Sequence, residues 1–141
     1  MFLFLDVFPM AKQSARFYSV GSFVKSYQSK KVVSYKKTIQ FLIKSQIPNT
    51  YEVKKGQIRI NKLVFWFAVL KSHSKKKKLE IADNSFISYK ETKPDLDNLQ
   101  KALYDACNGL IWWDDANIVE ICHISKRYGS RQGIELDFEY I

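Results

Sequence analysis

From Val7 to Tyr51 the chain contains no aspartate and no glutamate, although Lys12, Arg16, Lys25, Lys30, Lys31, Lys36, Lys37 and Lys44 all fall in that stretch. A surface built from it repels cations and attracts polyanions, chiefly by releasing their counterions. Cysteine is scarce: Cys107 and Cys122 stand alone, without a C-x-x-C or Cys/His spacing, which excludes a disulfide framework and a structural zinc site. Both thiols are expected to be reduced and buried. The two histidines, His73 in a polar loop and His123 in a strand, carry no motif. Long apolar runs are also missing, since the longest, Leu63 to Leu70, is far too short to span a bilayer. The apolar opening, Met1 to Phe8, contains Asp6, lacks a basic leader and is followed by Pro9, which argues against a signal peptide. A cytoplasmic protein with no membrane partner is expected.

What the chain does have is a hydrophobic fraction of 46% and 15% aromatics in 141 residues with a formal net charge of +9. That composition predicts one packed domain over residues 1–141. Phe2 to Phe8 reads as a strand stopped by Pro9, and Phe17 to Tyr27, with Gly21 inside it, as a hairpin or extended loop. Ser29 to about Gln46 reads as a helix ended by Pro48, with Lys30, Lys37 and Lys44 on its outer face. Gly56 to Leu70 alternates and then becomes wholly apolar, as a central strand does. Lys71 to Thr92 reads as a loop that exposes Lys75 to Lys78 and holds a short strand at Phe86 to Tyr89. Asp95 to about Asn108, between Pro94 and Gly109, reads as a second helix with Leu96, Leu99, Ala102, Leu103 and Ala106 inward. Asn117 to Lys126 and Gly133 to Tyr140 are two closing strands joined around Gly129. The expected class is α+β, a mixed sheet of about four strands with two main helices in the order β-α-β-α-β-β.

The acidic residues collect where the cations thin out. Between Asp95 and Glu120 lie Asp95, Asp97, Asp105, Asp114, Asp115 and Glu120, against the single cation Lys101. Leu96 and Leu99 claim the buried side of the helix start, which leaves Asp95 and Asp97 facing outward together. Lys101 follows Asp97 by one helical turn on the same face, and Asp105 extends that face. Trp112-Trp113-Asp114-Asp115 supplies two more carboxylates just before a strand, and one of them can reach the first pair if the strand lies beside the helix. Carboxylates without histidine or thiol are hard oxygen ligands, suited to magnesium or manganese. A competing reading makes Asp95 an ordinary helix cap and Asp97 a first-turn charge paired with Lys101.

Lys93-Pro94-Asp95-Leu96-Asp97-Asn98-Leu99, Lys101, Asp105-Ala106, Gly109, Asp114-Asp115, Ile118-Val119 and Ser125-Lys126-Arg127-Tyr128-Gly129 together resemble the RusA family of Holliday junction resolvases. Pro9-Met10-Ala11-Lys12-Gln13-Ser14-Ala15-Arg16-Phe17 is similar to that family's opening loop. The resemblance implies a homodimeric, magnesium-dependent endonuclease that binds four-way DNA junctions and nicks two strands symmetrically in recombination and repair, with manganese as a substitute. It also implies that Asp95, Asp97 and Asp115, with Asp115 preferred over Asp114, hold the metal and that Lys101 is the essential lysine. The Lys71 to Tyr89 segment matches no pattern of the family and reads as a local insertion.

Such a site would activate water and clamp phosphate oxygens, with Lys101 neutralising charge or orienting the water. Lys12, Arg16, Lys25, Lys93, Lys126 and Arg127 are the expected phosphate contacts, because they flank the acidic residues in sequence or lie in the basic N-terminal region. Phe17, Tyr18, Phe23 and Tyr27 interleave with these cations, and core packing is the stronger claim on them than stacking with bases. Trp112 and Trp113 are expected to close a core or a dimer interface. Two rivals stand beside this reading: a nuclease for other branched or single-stranded nucleic acid, and a non-catalytic nucleic-acid-binding protein.

Overall fold

The computed structural model describes residues 1–12, 16–83 and 85–141, without the side chain of Arg16. Its centre is one strand, β4 (Ile58–Ala68), flanked by β8 (Gly133–Tyr140) running antiparallel and by β6 (Ile118–Ile121) and β7 (Ile124–Gly129) running parallel. Outside these lie β1 (Phe2–Leu5) against β8 and β5 (Ser88–Tyr89) against β7, both antiparallel. The parallel pairings need a crossover, and the chain between β4 and β6 provides it through α2 (Lys75–Ala82), β5 and α3 (Leu96–Cys107). The class is therefore α+β with a mixed sheet, as the sequence predicts.

The alternation in β4 changes parity partway along. Ile58 and Ile60 are buried, then Leu63, Phe65 and Phe67, so the inward residues switch from even to odd numbers. The pairing with β8 slips between Ile60 and Lys62, and this bulge carries the switch. The neighbour on the other side breaks at the same level: Cys122 N–H donates to the Ile60 carbonyl at 2.8 Å, and Leu63 N–H to the His123 carbonyl at 2.9 Å. This is why the single strand expected over Asn117 to Lys126 is two, β6 and β7.

α1 (Lys30–Lys44) and α3 lie against each other and share one hydrophobic core with the inward side of the sheet. Ser29 caps α1 by accepting from Val32 N–H at 3.4 Å, and Tyr35, Ile39 and Ile43 give it a buried stripe four residues apart. α3 contributes Leu99, Leu103, Ala106 and Cys107. Its exit turns at Gly109, whose φ of 73° lies in the left-handed region that glycine adopts without a Cβ clash.

Several expectations are corrected. The first strand stops at Leu5, short of Phe8. The described residues form a six-stranded sheet, a separate two-stranded one of β2 (Arg16–Val20) and β3 (Phe23–Tyr27), and three α-helices, more than the four strands and two helices expected. Lys75 to Lys78 are not a loop: they open α2, because Ser74 accepts from Lys77 N–H at 3.1 Å and lysine is a good helix former once capped. Asn84, part of the expected loop, lies outside the described residues. Of the two thiols only Cys107 is buried, whereas Cys122 is exposed at the break between β6 and β7.

Burial pushes the Cys107 thiol well above its ordinary range, so it presents neither access nor thiolate. Iodoacetamide at pH 8 is expected to label Cys122 alone in the folded protein and both cysteines in denaturant, read by peptide mass mapping. Equal labelling of both in the native state would refute the packing of α3.

Candidate active site

α3 begins with Lys93-Pro94-Asp95, and the Lys93–Pro94 peptide is cis. Asp95 occupies the N-cap with extended backbone angles, and its carbonyl accepts from Leu99 N–H at 3.1 Å. Its side chain makes no cap hydrogen bond. The ordinary-cap reading therefore fails for this carboxylate, which faces outward unclaimed. Leu99 is fully buried and Leu96 packs against the core, so Asp95 and Asp97 share the exposed side of the first turn. Lys101 Nζ stands 3.7 Å from an Asp97 oxygen, with both side chains more than 60% exposed. Such a pair adds roughly half a kcal/mol and leaves both charges available. The positive end of the helix dipole favours the two aspartates where they are.

A lysine from the sheet holds this helix start in place. Lys126 on β7 donates to the Thr92 carbonyl at 2.7 Å and to the Pro94 carbonyl at 2.9 Å. Lys90 adds a second brace, with its ammonium 2.7 Å from the Thr92 hydroxyl and its own N–H bonded to the Lys126 carbonyl at 3.0 Å.

The second acidic segment is anchored as firmly. Trp112 is fully buried, meets Tyr104 and Phe138 edge to face, and donates from Nε1 to Asn108 Oδ1 at 2.9 Å. The Ile111 carbonyl receives both the Tyr51 hydroxyl at 2.6 Å and the Tyr140 hydroxyl at 2.9 Å. Trp113 is exposed instead, with Lys55 4.4 Å from its ring centre. Beyond it a short 3-10 turn, Asp115–Asn117, packs against α3. The two aspartates here have different tasks. Asp114 caps the turn, its Oδ1 accepting from Ala116 N–H at 2.8 Å. Asp115 is half-buried in the same turn, and the Tyr104 phenol on α3 is pushed above its ordinary range chiefly by burial, with a hydrogen bond from Gln100 opposing it and smaller pushes from Cys107 and Asp115.

Asp95, Asp97 and Asp115 thus supply carboxylate oxygens of the kind a hard divalent cation takes. Among the described residues no three acidic, histidine or cysteine side chains are gathered closely enough to enclose one ion.

The six expected phosphate contacts fall in different places. Lys93 lines an open groove of about 400 Å³ with Ala11, Pro94, Asp95 and Asn98. Lys12 lies beside α3, its N–H bonded to the Asn98 carbonyl at 3.0 Å and its ammonium 2.5 Å from Asp105. Lys25 is exposed on β3. The side chain of Arg16 lies outside the described residues, as do Gln13, Ser14 and Ala15 of the opening loop. Lys126 and Arg127, adjacent in sequence, separate: Lys126 pairs in register with inward-facing Phe65 and Arg127 with Trp66, so they occupy opposite faces of the sheet. Arg127 bonds Ser125 Oγ at 2.8 Å and His123 Nε2 at 2.6 Å, away from the aspartates. Sequence reading missed the bracing by Lys90, Lys126, Tyr51 and Tyr140, because their acceptors are backbone carbonyls or a neighbouring hydroxyl that no residue pattern marks.

A family model described as "Endodeoxyribonuclease RusA" matches residues 6–139. The chain is also similar to "Uncharacterized protein YqaN" of Bacillus subtilis (strain 168), 42% identical over 65 residues that make up 46% of this chain and 44% of that relative. The match therefore spans less than half the length of that curated relative. No described helix is long and apolar enough to cross a membrane.

Replacing Lys126 with methionine removes two charge-assisted hydrogen bonds to carbonyls and keeps the apolar stem. The expected cost is about 1–3 kcal/mol in urea unfolding, with faster amide exchange confined to residues 92–97. Unchanged exchange there would show that the helix start does not depend on this lysine.

Proposed function

Because the chain belongs to the RusA endodeoxyribonuclease family, we propose that it is a magnesium-dependent endodeoxyribonuclease that resolves Holliday junctions by paired symmetric nicks in recombination and repair. The observation that carries the reading is the family match over residues 6–139, which takes in the basic N-terminal segment, the start of α3 and the acidic turn. The exposed carboxylates at the head of α3, Asp95 without a cap bond and Asp97 only loosely paired with Lys101, support it.

In this reading Asp95, Asp97 and Asp115 hold the magnesium ion, which manganese can replace. Asp115 is preferred to Asp114 because the Asp114 carboxylate is committed to Ala116 N–H. The ion would supply charge relief at the phosphate and a more acidic water. Lys101, loosely paired with Asp97, reaches the scissile phosphate as a mobile point charge. Lys93 beside Asp95, with Lys12, Arg16 and Lys25, carries the DNA backbone. Lys126 positions the loop that presents Asp95. Two such sites related by a two-fold axis fit the near two-fold symmetry of a four-way junction, so the active species is a homodimer.

Asp97→Asn is expected to lower cutting of a mobile four-way junction by about a thousandfold or more. Binding with calcium in place of magnesium should be kept or strengthened, because a negative charge beside phosphate has gone. Asp115→Asn should behave alike, whereas Asp114→Asn should retain most activity. A protein that leaves every branched DNA intact with magnesium or manganese would refute the enzyme reading.

Cutting of a four-way junction, a flap, a duplex and a single strand, compared at one salt concentration, tests the substrate. The expected order places the junction well ahead of the other three. Equal rates on all four would leave a nuclease without junction specificity.

A further inference from the structure

The β2–β3 hairpin has a composition that water alone does not explain. Every described side chain from Phe17 to Tyr27 is exposed, including Phe17 at 70%, Phe23 at 72%, Tyr18 at 46% and Tyr27 at 47%. The core packing expected for these four rings does not occur, and none of them belongs to the hydrophobic cluster. The hairpin is well formed: its five pairs are in antiparallel register, and Gly21, with a φ of 60°, leads a two-residue turn. Yet a two-stranded hairpin without a third strand or a helix beneath it is marginally stable in water. Exposed rings grouped in this way mark a surface that a partner covers.

The pairing sorts the side chains by face. Tyr18 is opposite Lys25 and Val20 opposite Phe23, so Tyr18, Val20, Phe23, Lys25 and Tyr27 share one side, with Tyr18 and Tyr27 edge to face at 5.7 Å. The charge along the hairpin and the head of α1 has one sign. Neither hairpin strand contains an acidic residue, and Lys30 and Lys31 follow Tyr27 closely at the head of α1. Beyond them Lys12, Lys36 and Lys37 line a groove of about 450 Å³ that includes Gln28, at the base of the hairpin, and in which Asp105 is paired with Lys12. A second copy of the chain would bring the same positive charge to this side. A nucleic acid brings phosphates to the lysines and flat bases to the rings.

We propose that the β2–β3 hairpin is an arm that engages DNA where bases are unpaired, with Tyr18, Phe23 and Tyr27 stacking on them and Lys25 and the α1 lysines following the backbone. Stacking of bases on aromatic side chains suits any base, so the arm recognises an opened strand and not a sequence. This rests on the reading of the chain as a junction nuclease and adds to it the element that finds the branch point. At a four-way junction the continuity of stacking is broken at the crossover, so the bases there open most readily, whereas an intact duplex offers no such break.

The test is the Tyr18→Ala, Phe23→Ala double variant of the full chain, with Tyr18→Phe, Phe23→Trp as the conservative control. Binding is measured in calcium by polarisation, using a four-way junction with 2-aminopurine at the crossover, a matched duplex and a dT oligonucleotide. The expected result is an affinity loss of about tenfold or more for the junction and the oligonucleotide, little change for the duplex, and loss of the 2-aminopurine response. The control should restore all three, and thermal unfolding should not move, because neither ring touches the core. Wild-type binding and response in the alanine variant would overturn the proposal. So would equal losses on all three DNAs accompanied by conversion of a dimer to a monomer in sedimentation, which would give the surface to a second copy. Junction cutting by the wild type, run in parallel with magnesium, separates the two claims. If the wild type cuts and the variant equals it, the arm fails and the nuclease reading stands; if the wild type cuts nothing but loses the oligonucleotide through the variant, the reverse holds.

Discussion

The ammonium of Lys126 joins the two halves of this molecule that matter to its chemistry. It reaches from the parallel side of the sheet to the Thr92 and Pro94 carbonyls, so the segment that leads into α3 is fixed to the sheet. Aspartates set at a helix start profit from the dipole but repel one another and any approaching phosphate. A positive side chain bonded behind them, on the backbone and not on the carboxylates, holds the turn without neutralising it. The carboxylates therefore keep their capacity for a cation, and Lys101 remains loosely held beside them.

The order of elements was legible because each is written in its own period. α1 and α3 show spacings of three and four, β4 shows alternation followed by an apolar run, and Gly109 and Pro48 mark helix ends. The opening of α2 was not legible, because four consecutive lysines carry no amphipathic pattern and only the Ser74 cap and buried Ile81 tie them to the body. At the head of α3, the shared exposed side of Asp95 and Asp97 and the pairing with Lys101 could be read from spacing, whereas the difference between Asp114 and Asp115 could not. It depends on which carboxylate turns back to Ala116 N–H, a local matter settled by backbone angles. The opposite orientations of Lys126 and Arg127 follow from strand alternation, but the strand's register against β4 had to be known first.

Charge is segregated along this chain. The acid-free stretch from Val7 to Tyr51 supplies the hairpin and α1, while Asp95 and Asp97 stand at the head of α3 and Asp114 and Asp115 at the turn before β6. The two regions meet at one seam, where Lys12 contacts Asp105 and Met10 to Lys12 runs beside α3. A cation-rich surface and an acid-rich one thus belong to separate elements that share a border.

The bulge in β4 has a consequence for how the sequence can drift. Its extra residue lies level with the break between β6 and β7: from Ile60 to Leu63 the strand advances three residues, as the chain does from Ile121 to Ile124, whereas β8 advances only two from Phe138 to Leu136. Deleting one residue near Asn61 would restore plain alternation against β8 with Leu63, Phe65 and Phe67 still inward, but would leave the β6–β7 side one residue too long. Insertions and deletions there are therefore coupled events, whereas the loop carrying α2 is free to vary on its own.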